Sequence, residues 1–141
     1  MTPETVALIR YRVARAAEAL EEATLLLVHK HVATAVNRLY YATFYAVSAL
    51  LLTEGYSSPK HSGIRALFDQ HWIAPGRLPK DLGRIYRRLF DARQQGDYAD
   101  LVTFESAEVE AWLGDVEGFL RAIAQTIEER VRADSGGASD A

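Results

Sequence analysis

Asn37-Arg38-Leu39-Tyr40-Tyr41-Ala42-Thr43-Phe44-Tyr45-Ala46 is the stretch on which the fold turns. Read from Val36 to Leu52, the chain carries Val36, Leu39, Tyr40, Ala42, Phe44, Ala46, Val47, Ala49, Leu50, Leu51 and Leu52, which wrap almost all round a helix. A helix that is apolar on every side belongs at the centre of a helical packing. A central helix over about 34–53 is therefore expected, ended by Gly55. Arg38 and the tyrosine hydroxyls are polar groups set into this apolar text. Burying such a group without a partner costs on the order of 1–3 kcal/mol, so they must serve a structural network or a site.

The flanking sequence is helical too. Thr2-Pro3-Glu4 combines a capping side chain, a proline suited to the first helical position and an acid at the positive end of the dipole. Leu8, Val13, Ala16, Ala17, Leu20, Ala23, Leu26 and Leu27 then follow a period near 3.6 residues, until His29-Lys30-His31 interrupts it. Ser58-Pro59 predicts a shorter helix to about Gln70, and His71 to Gly76 a loop anchored by Trp72. Pro79 opens a helix to about Gln95 with Leu82, Ile85, Tyr86, Leu89 and Phe90 on one face, broken by Gly96-Asp97. Thr103 caps the last helix, whose stripe is Val109, Trp112, Leu113, Val116, Phe119, Leu120, Ile123 and Ile127. The expectation is an all-α protein: an up-and-down four-helix bundle with one additional short helix over residues 1–132, and a disordered tail over 133–141.

Composition narrows the chemistry. The 141 residues suit one domain. With 49% hydrophobic and 25% charged residues, the chain has the make-up of an ordinary water-soluble protein. No cysteine is present, which excludes disulfides, thiolate metal sites and cysteine nucleophiles. No run reaches the about 18 apolar residues of a membrane span. The first residues lack a signal-peptide pattern, so a cytoplasmic protein is expected. His29, His31, His61 and His71 show no metal-ligand spacing, and no cofactor motif is found.

Four features can carry function. Arg38 stays charged and needs partners if buried; it reads either as an ion pair, with Asp97 or an acid of the first helix, or as a residue lining a cleft or dimer seam. Lys60-His61-Ser62-Gly63 opens the short helix, where free N–H groups suit an anion and Lys60 and Ser62 add a charge and a donor; the alternative is capping and packing of His61. Arg77, Lys80, Arg84, Arg87, Arg88 and Arg93 stand against two acids, Asp81 and Asp91, a local charge of +4 in a chain of net charge −3. Such a face can track phosphates or meet an acidic partner, or be a solvated face with pairs such as Asp81–Arg84. Arg93-Gln94-Gln95-Gly96-Asp97-Tyr98 is the fourth.

In their order and spacing, the segments around Tyr40, His61 and Arg93 resemble the HEPN family, over roughly residues 5–130. The resemblance implies a homodimer, with the excess apolar stripe and with Trp72 and Trp112 as candidate anchors, and a nucleotidyltransferase as partner in a toxin–antitoxin-like pair. From the sequence itself, no cofactor, no membrane association and no DNA-specific motif are expected. Active HEPN relatives are metal-independent ribonucleases marked by an Arg followed four to six residues later by a His. Here Tyr98 stands in that place after Arg93, and Tyr45 would after Arg38; a phenol with a pKa of about 10 is a poor base near neutrality. Two expectations follow. One is a binding module that docks the transferase and presents nucleotide, RNA or a modifiable tyrosine such as Tyr98, with Arg38, Lys60, Ser62, Arg84, Arg87 and Arg88 as nucleotide or RNA contacts. The other is an endoribonuclease with a variant site, in which Arg93 binds the scissile phosphate, Asp97 orients it, Tyr98 replaces the usual His and His61 is the base.

Overall fold

The computed structural model describes residues 1–98 and 103–140, and side chains at 1–94 and 103–136. Five α-helices follow in order: α1 Pro3–Val28, α2 Val32–Leu52, α3 His61–Phe68, α4 Lys80–Tyr98 and α5 Ser106–Asp140, with a π-helical turn Asp69–Ile73 after α3. All regular structure among the described residues is helical, so the protein is all-α.

The start of α1 is set by local chemistry. Thr2 Oγ1 accepts the Thr5 N–H at 3.1 Å, and Pro3 and Glu4 occupy the first turn. Its end is a left-handed turn at Lys30 (φ 65°), closed by His31 N–H to Leu26 C=O at 2.8 Å. That three-residue connection folds α2 back along α1. Small residues face each other there: Ala16, Ala19 and Ala23 on α1, and Ala35, Ala42, Ala46 and Ala49 on α2, are all buried. Small side chains let two helix backbones approach closely, and α1 with α2 is the most extensive pairing in the molecule. The other four helices all pack on α2, which buries twelve of its residues. The buried hydroxyls of Thr43 and Thr53 turn back on the carbonyls of Tyr40 and Leu50 at 2.7 and 2.6 Å. From α4 and α5, Leu82, Tyr86, Leu89, Phe90, Val109, Val116, Phe119, Ile123 and Ile127 complete the core, close to the stripes read from the sequence.

Several local expectations are corrected. The short helix begins at His61 rather than at Ser58-Pro59, because Ser58 Oγ accepts the Lys60 N–H at 3.2 Å and turns the chain just before it. His71-Trp72-Ile73 is not a loop but part of the π-helical turn, closed by Ala74 N–H to Asp69 C=O at 2.8 Å. That turn lies against α4 at Gly83, where an added Cβ would stand 3.1 Å from Ile73 Cγ2. Gly96 does not break α4, which runs to Tyr98; one helical glycine costs only about 1 kcal/mol. The last helix starts at Ser106, three residues past Thr103, with Glu105 C=O accepting the Val109 N–H at 3.1 Å. It takes in residues up to Asp140, within the stretch expected to be a tail, and Asp134 holds the Met1 amine at 2.7 Å. Trp72 and Trp112 are core residues, 2% and 8% exposed, and so are not available as dimer anchors.

Glu54, just past α2, ties three elements together. Its carboxylate takes two parallel hydrogen bonds from Arg77, both 2.8 Å, and a second cation, Arg130 of α5, at 2.8 Å. Arg77 in turn lies 3.7 Å over the Trp72 ring and donates to His71 C=O at 3.2 Å. Arg77 is thus held in a structural ion pair. Those hydrogen bonds hold the Glu54 carboxyl below its ordinary pKa. We expect Glu54→Gln to destabilise the protein at pH 7 by about 1–2 kcal/mol in urea titrations. A carboxyl with a depressed folded pKa stabilises above the unfolded value of about 4.3, and that contribution is lost as pH falls through the folded value. The difference between wild type and Glu54→Gln should therefore shrink below about pH 4.

Candidate functional site

Three helices bring their most distinctive residues to one place. α2 supplies Tyr40, fully buried, and Tyr41 and Phe44, half-buried. α3 supplies His61, its first residue, and α4 supplies Arg93. The glycine in Lys60-His61-Ser62-Gly63 has a reason: a Cβ at Gly63 would collide with the Ser58 side chain that shapes the helix start. His61 Nδ1 lies 2.7 Å from Tyr40 Oη. The imidazole stacks on Phe44 with ring centres 4.3 Å apart and 8° between planes, and meets Tyr41 edge-on at 5.9 Å. The Arg93 guanidinium lies over the rings of Tyr40, at 5.1 Å, and Tyr41, at 5.3 Å. His61 and Arg93, 32 positions apart in the sequence, therefore rest on the same two tyrosines. Behind them Tyr86 lies parallel to Tyr40 at 6.2 Å, and Phe90 meets it edge-on at 6.0 Å.

The electrostatics follow from this packing. Burial pushes the Tyr40 phenol up to about 12, and Tyr86 is pushed further up by burial and by Tyr40 beside it. Both remain neutral near pH 7. Burial, and secondarily the Arg93 cation, press the His61 imidazole below its ordinary value. His61 is thus a neutral, oriented imidazole, the form that accepts a proton. The pH sign is determined. A group with a depressed folded pKa favours the fold above its unfolded pKa of about 6.5 and loses that contribution as pH falls towards the folded value. We expect the wild type to lose stability relative to His61→Gln as pH falls below about 6.5, measured as the difference in urea midpoints.

The remaining residues singled out by sequence divide clearly. Arg38 lies 5.1 Å over the Tyr41 ring, adjoining the cluster, and its acid is Glu22 of α1 at 3.9 Å. Lys60 and Ser62 are exposed beside His61 at the start of α3. Arg84, Arg87 and Arg88 are not brought to the cluster: at 3.6 residues per turn they lie about 120–180° round α4 from Arg93. Arg84 pairs with Asp81, and Arg88 with Asp115 at 3.3 Å. Asp97 and Tyr98 fall in the last turn of α4, and their side chains lie outside the described residues. Sequence reasoning missed Tyr40 and Phe44 as the residues that seat His61. The signal was present: aromatic residues at positions 40, 41, 44 and 45 occur at the i, i+4 spacing that groups side chains on a helix. No group of three or more metal-ligating side chains occurs among the described residues. No described helix is long and apolar enough to cross a membrane.

The family model described as HEPN domain matches residues 9–128. The chain belongs to the HEPN family. Within it, a Thermotoga maritima protein named "UPF0332 protein" is 48% identical over 89% of this chain and 96% of its own length. A Methanocaldococcus jannaschii protein named "Putative toxin" is 33% identical over 81% of this chain and 84% of its own. A second protein of that organism with the same style of name is 36% identical over 54% of this chain and 52% of its own. The HEPN match spans every residue of the His61–Tyr40–Arg93 cluster.

Proposed function

We propose that this HEPN protein is the toxin member of a two-protein toxin–antitoxin pair, and that it acts on RNA at the His61–Tyr40–Arg93 cluster without a metal ion. The observation that carries the reading is the meeting of a neutral, oriented histidine with an arginine on one aromatic seat. The toxin names of two relatives support the biological half of it. With Nδ1–H donating to Tyr40 Oη, His61 Nε2 carries a bare lone pair and takes the proton of an RNA 2′-hydroxyl. The 2′-oxygen attacks the adjacent phosphorus, the bond to the 5′-oxygen breaks, and the proton is returned to that leaving oxygen. Arg93 offsets the negative charge that builds on the phosphorane. The products are a 2′,3′-cyclic phosphate and a 5′-hydroxyl. In this reading α1, α2, α4 and α5 form an up-and-down bundle with α3 as its short addition, the protein works in the cytoplasm as a homodimer, and its antitoxin is a nucleotidyltransferase.

A second reading, a dimeric module that docks the transferase and binds nucleotide or RNA without cleaving, is favoured by one observation: Tyr98 stands five residues after Arg93, where active relatives carry histidine. The deciding test incubates purified protein with transfer RNA in EDTA, wild type beside His61→Ala. The first reading expects cleavage by the wild type, with cyclic phosphate ends, and none by a folded His61→Ala. A folded wild type that leaves RNA intact but co-purifies with a nucleotidyltransferase overturns it in favour of the second.

A further inference from the structure

α2 is buried on nearly every side, yet one stripe of it stays half-open, and that stripe is aromatic. Tyr41, Phe44 and Tyr45 form a mutually touching set, with ring centres 5.9–6.0 Å apart. Guanidiniums are laid over both tyrosines: Arg38 at 5.1 Å and Arg93 at 5.3 Å over Tyr41, and Arg15 of α1 at 5.3 Å over Tyr45. The stripe continues directly into the His61 seat, since Phe44 carries the imidazole at 4.3 Å. A half-open row of aromatic rings is an unusual surface for a helix, because open apolar area of this kind is what binding sites are made of. Aromatic rings interleaved with arginines are the surface on which unpaired nucleotides stack.

The acids nearby refine the ligand. Glu18 holds Arg15 at 2.6 Å and Glu22 stands 3.9 Å from Arg38. These carboxylates weaken the face as a general phosphate track. They leave the rings and the flat guanidiniums as the means of recognition. Arg38 Nε is buried beside Glu22, so its guanidinium is held flat over the Tyr41 ring of the stripe.

We infer that the Tyr41–Phe44–Tyr45 stripe, with Arg15 and Arg38, is a base-stacking platform that selects single-stranded RNA and leads it to His61. The inference deepens the ribonuclease reading and rests on it for the direction of travel, but its binding claim is separately measurable. Stacking is worth about 1–3 kcal/mol per base, and each 1.4 kcal/mol is tenfold in affinity.

The test uses the wild-type protein and a fluorescent octanucleotide bearing 2′-O-methyl groups, which cannot be cut through the 2′-oxygen. Wild type should bind the single strand at least about tenfold more tightly than the same sequence as a duplex. Tyr41→Leu/Tyr45→Leu should weaken single-strand binding by about 10–100-fold, while Tyr41→Phe/Tyr45→Phe, which keeps the rings, should stay near wild type. Because release of counterions is a minor part of binding here, the affinity should fall only shallowly with salt. A second measurement needs no variant: photo-crosslinking of a 4-thiouridine strand to wild type should place adducts on the α2 stripe. Equal binding of duplex, full binding by the leucine pair, or crosslinks only elsewhere would overturn the platform. So would conversion of a dimer to a monomer by the leucine pair with RNA binding intact, which would make the stripe a subunit contact. Single-strand binding through the tyrosines without cleavage of unmodified RNA would keep the platform and remove the ribonuclease. Cleavage unaffected by the leucine pair would do the reverse.

Discussion

Arg93→Lys is expected to lower metal-free RNA cleavage by about 100-fold or more, nearly as far as Arg93→Ala. The reason lies in shape rather than charge. A guanidinium is flat, and in this protein it lies across two tyrosine rings. An ammonium keeps the charge but neither stacks nor offers two parallel donors. A purely structural Arg93 would give a different pattern. Cation–ring contacts contribute about 0.5–2 kcal/mol, so both variants would lose a few degrees of Tm and keep their rates. A further readout separates the roles. Arg93 is one cause of the low His61 pKa, so in Arg93→Ala the imidazole should titrate at higher pH, seen in the His61 ring protons by NMR. The acidic limb of any residual pH–rate profile should move up with it. Unchanged cleavage in a folded Arg93→Lys would refute the role given to this residue.

Phe119→Ala is expected to cost about 3–5 kcal/mol of stability, out of the about 5–15 kcal/mol that such a domain possesses. Phe119 is fully buried on α5 and meets Phe68 at 6.2 Å and Tyr86 at 6.5 Å. Removing it opens a cavity where α3, α4 and α5 meet, which the surrounding helices cannot fill without moving. Tyr86 is also the ring packed behind Tyr40, so the loss should reach the site. Urea unfolding should show the lowered midpoint. Cleavage measured well below the new Tm should fall as well, because the seat of His61 loosens. Leu25→Ala, at a position 63% exposed on α1, is the control and should change stability by less than about 0.5 kcal/mol. A Phe119→Ala midpoint within error of wild type would show that Phe119 does not hold α3, α4 and α5 together.

The fold was legible because its signals are local and repeated. The near-continuous apolar text of 34–53 required a central helix, and the stripes of α4 and α5 were read almost residue for residue. What escaped reading was set by tertiary contact. Trp72 looked like an exposed anchor because nothing local says that Arg77, five positions on, folds back over it while bound to Glu54. The π-helical turn was invisible because backbone bonds that span five residues, such as Ala74 N–H to Asp69 C=O, have no composition of their own. Arg84, Arg87 and Arg88 were grouped with Arg93 by charge, and only the helical angle separates them. For the site, the sequence offered His61 and Arg93 as separate clues, 32 positions apart. Their meeting on Tyr40 depends on how α3 and α4 pack against α2, which no periodicity reveals.

The histidine rides on the shortest α-helix of the molecule. α3 has eight residues and buries only Ile64 and Phe68, while the four other helices have at least nineteen residues each. Short elements with few buried side chains open first, well before the whole chain does. Warming should therefore lift α3 off its aromatic seat while the long helices still hold, so the protein would fall silent and recover on cooling. The toxin proposed above would then carry its own fuse, disarmed reversibly by heat at a temperature set by this short helix rather than by the whole.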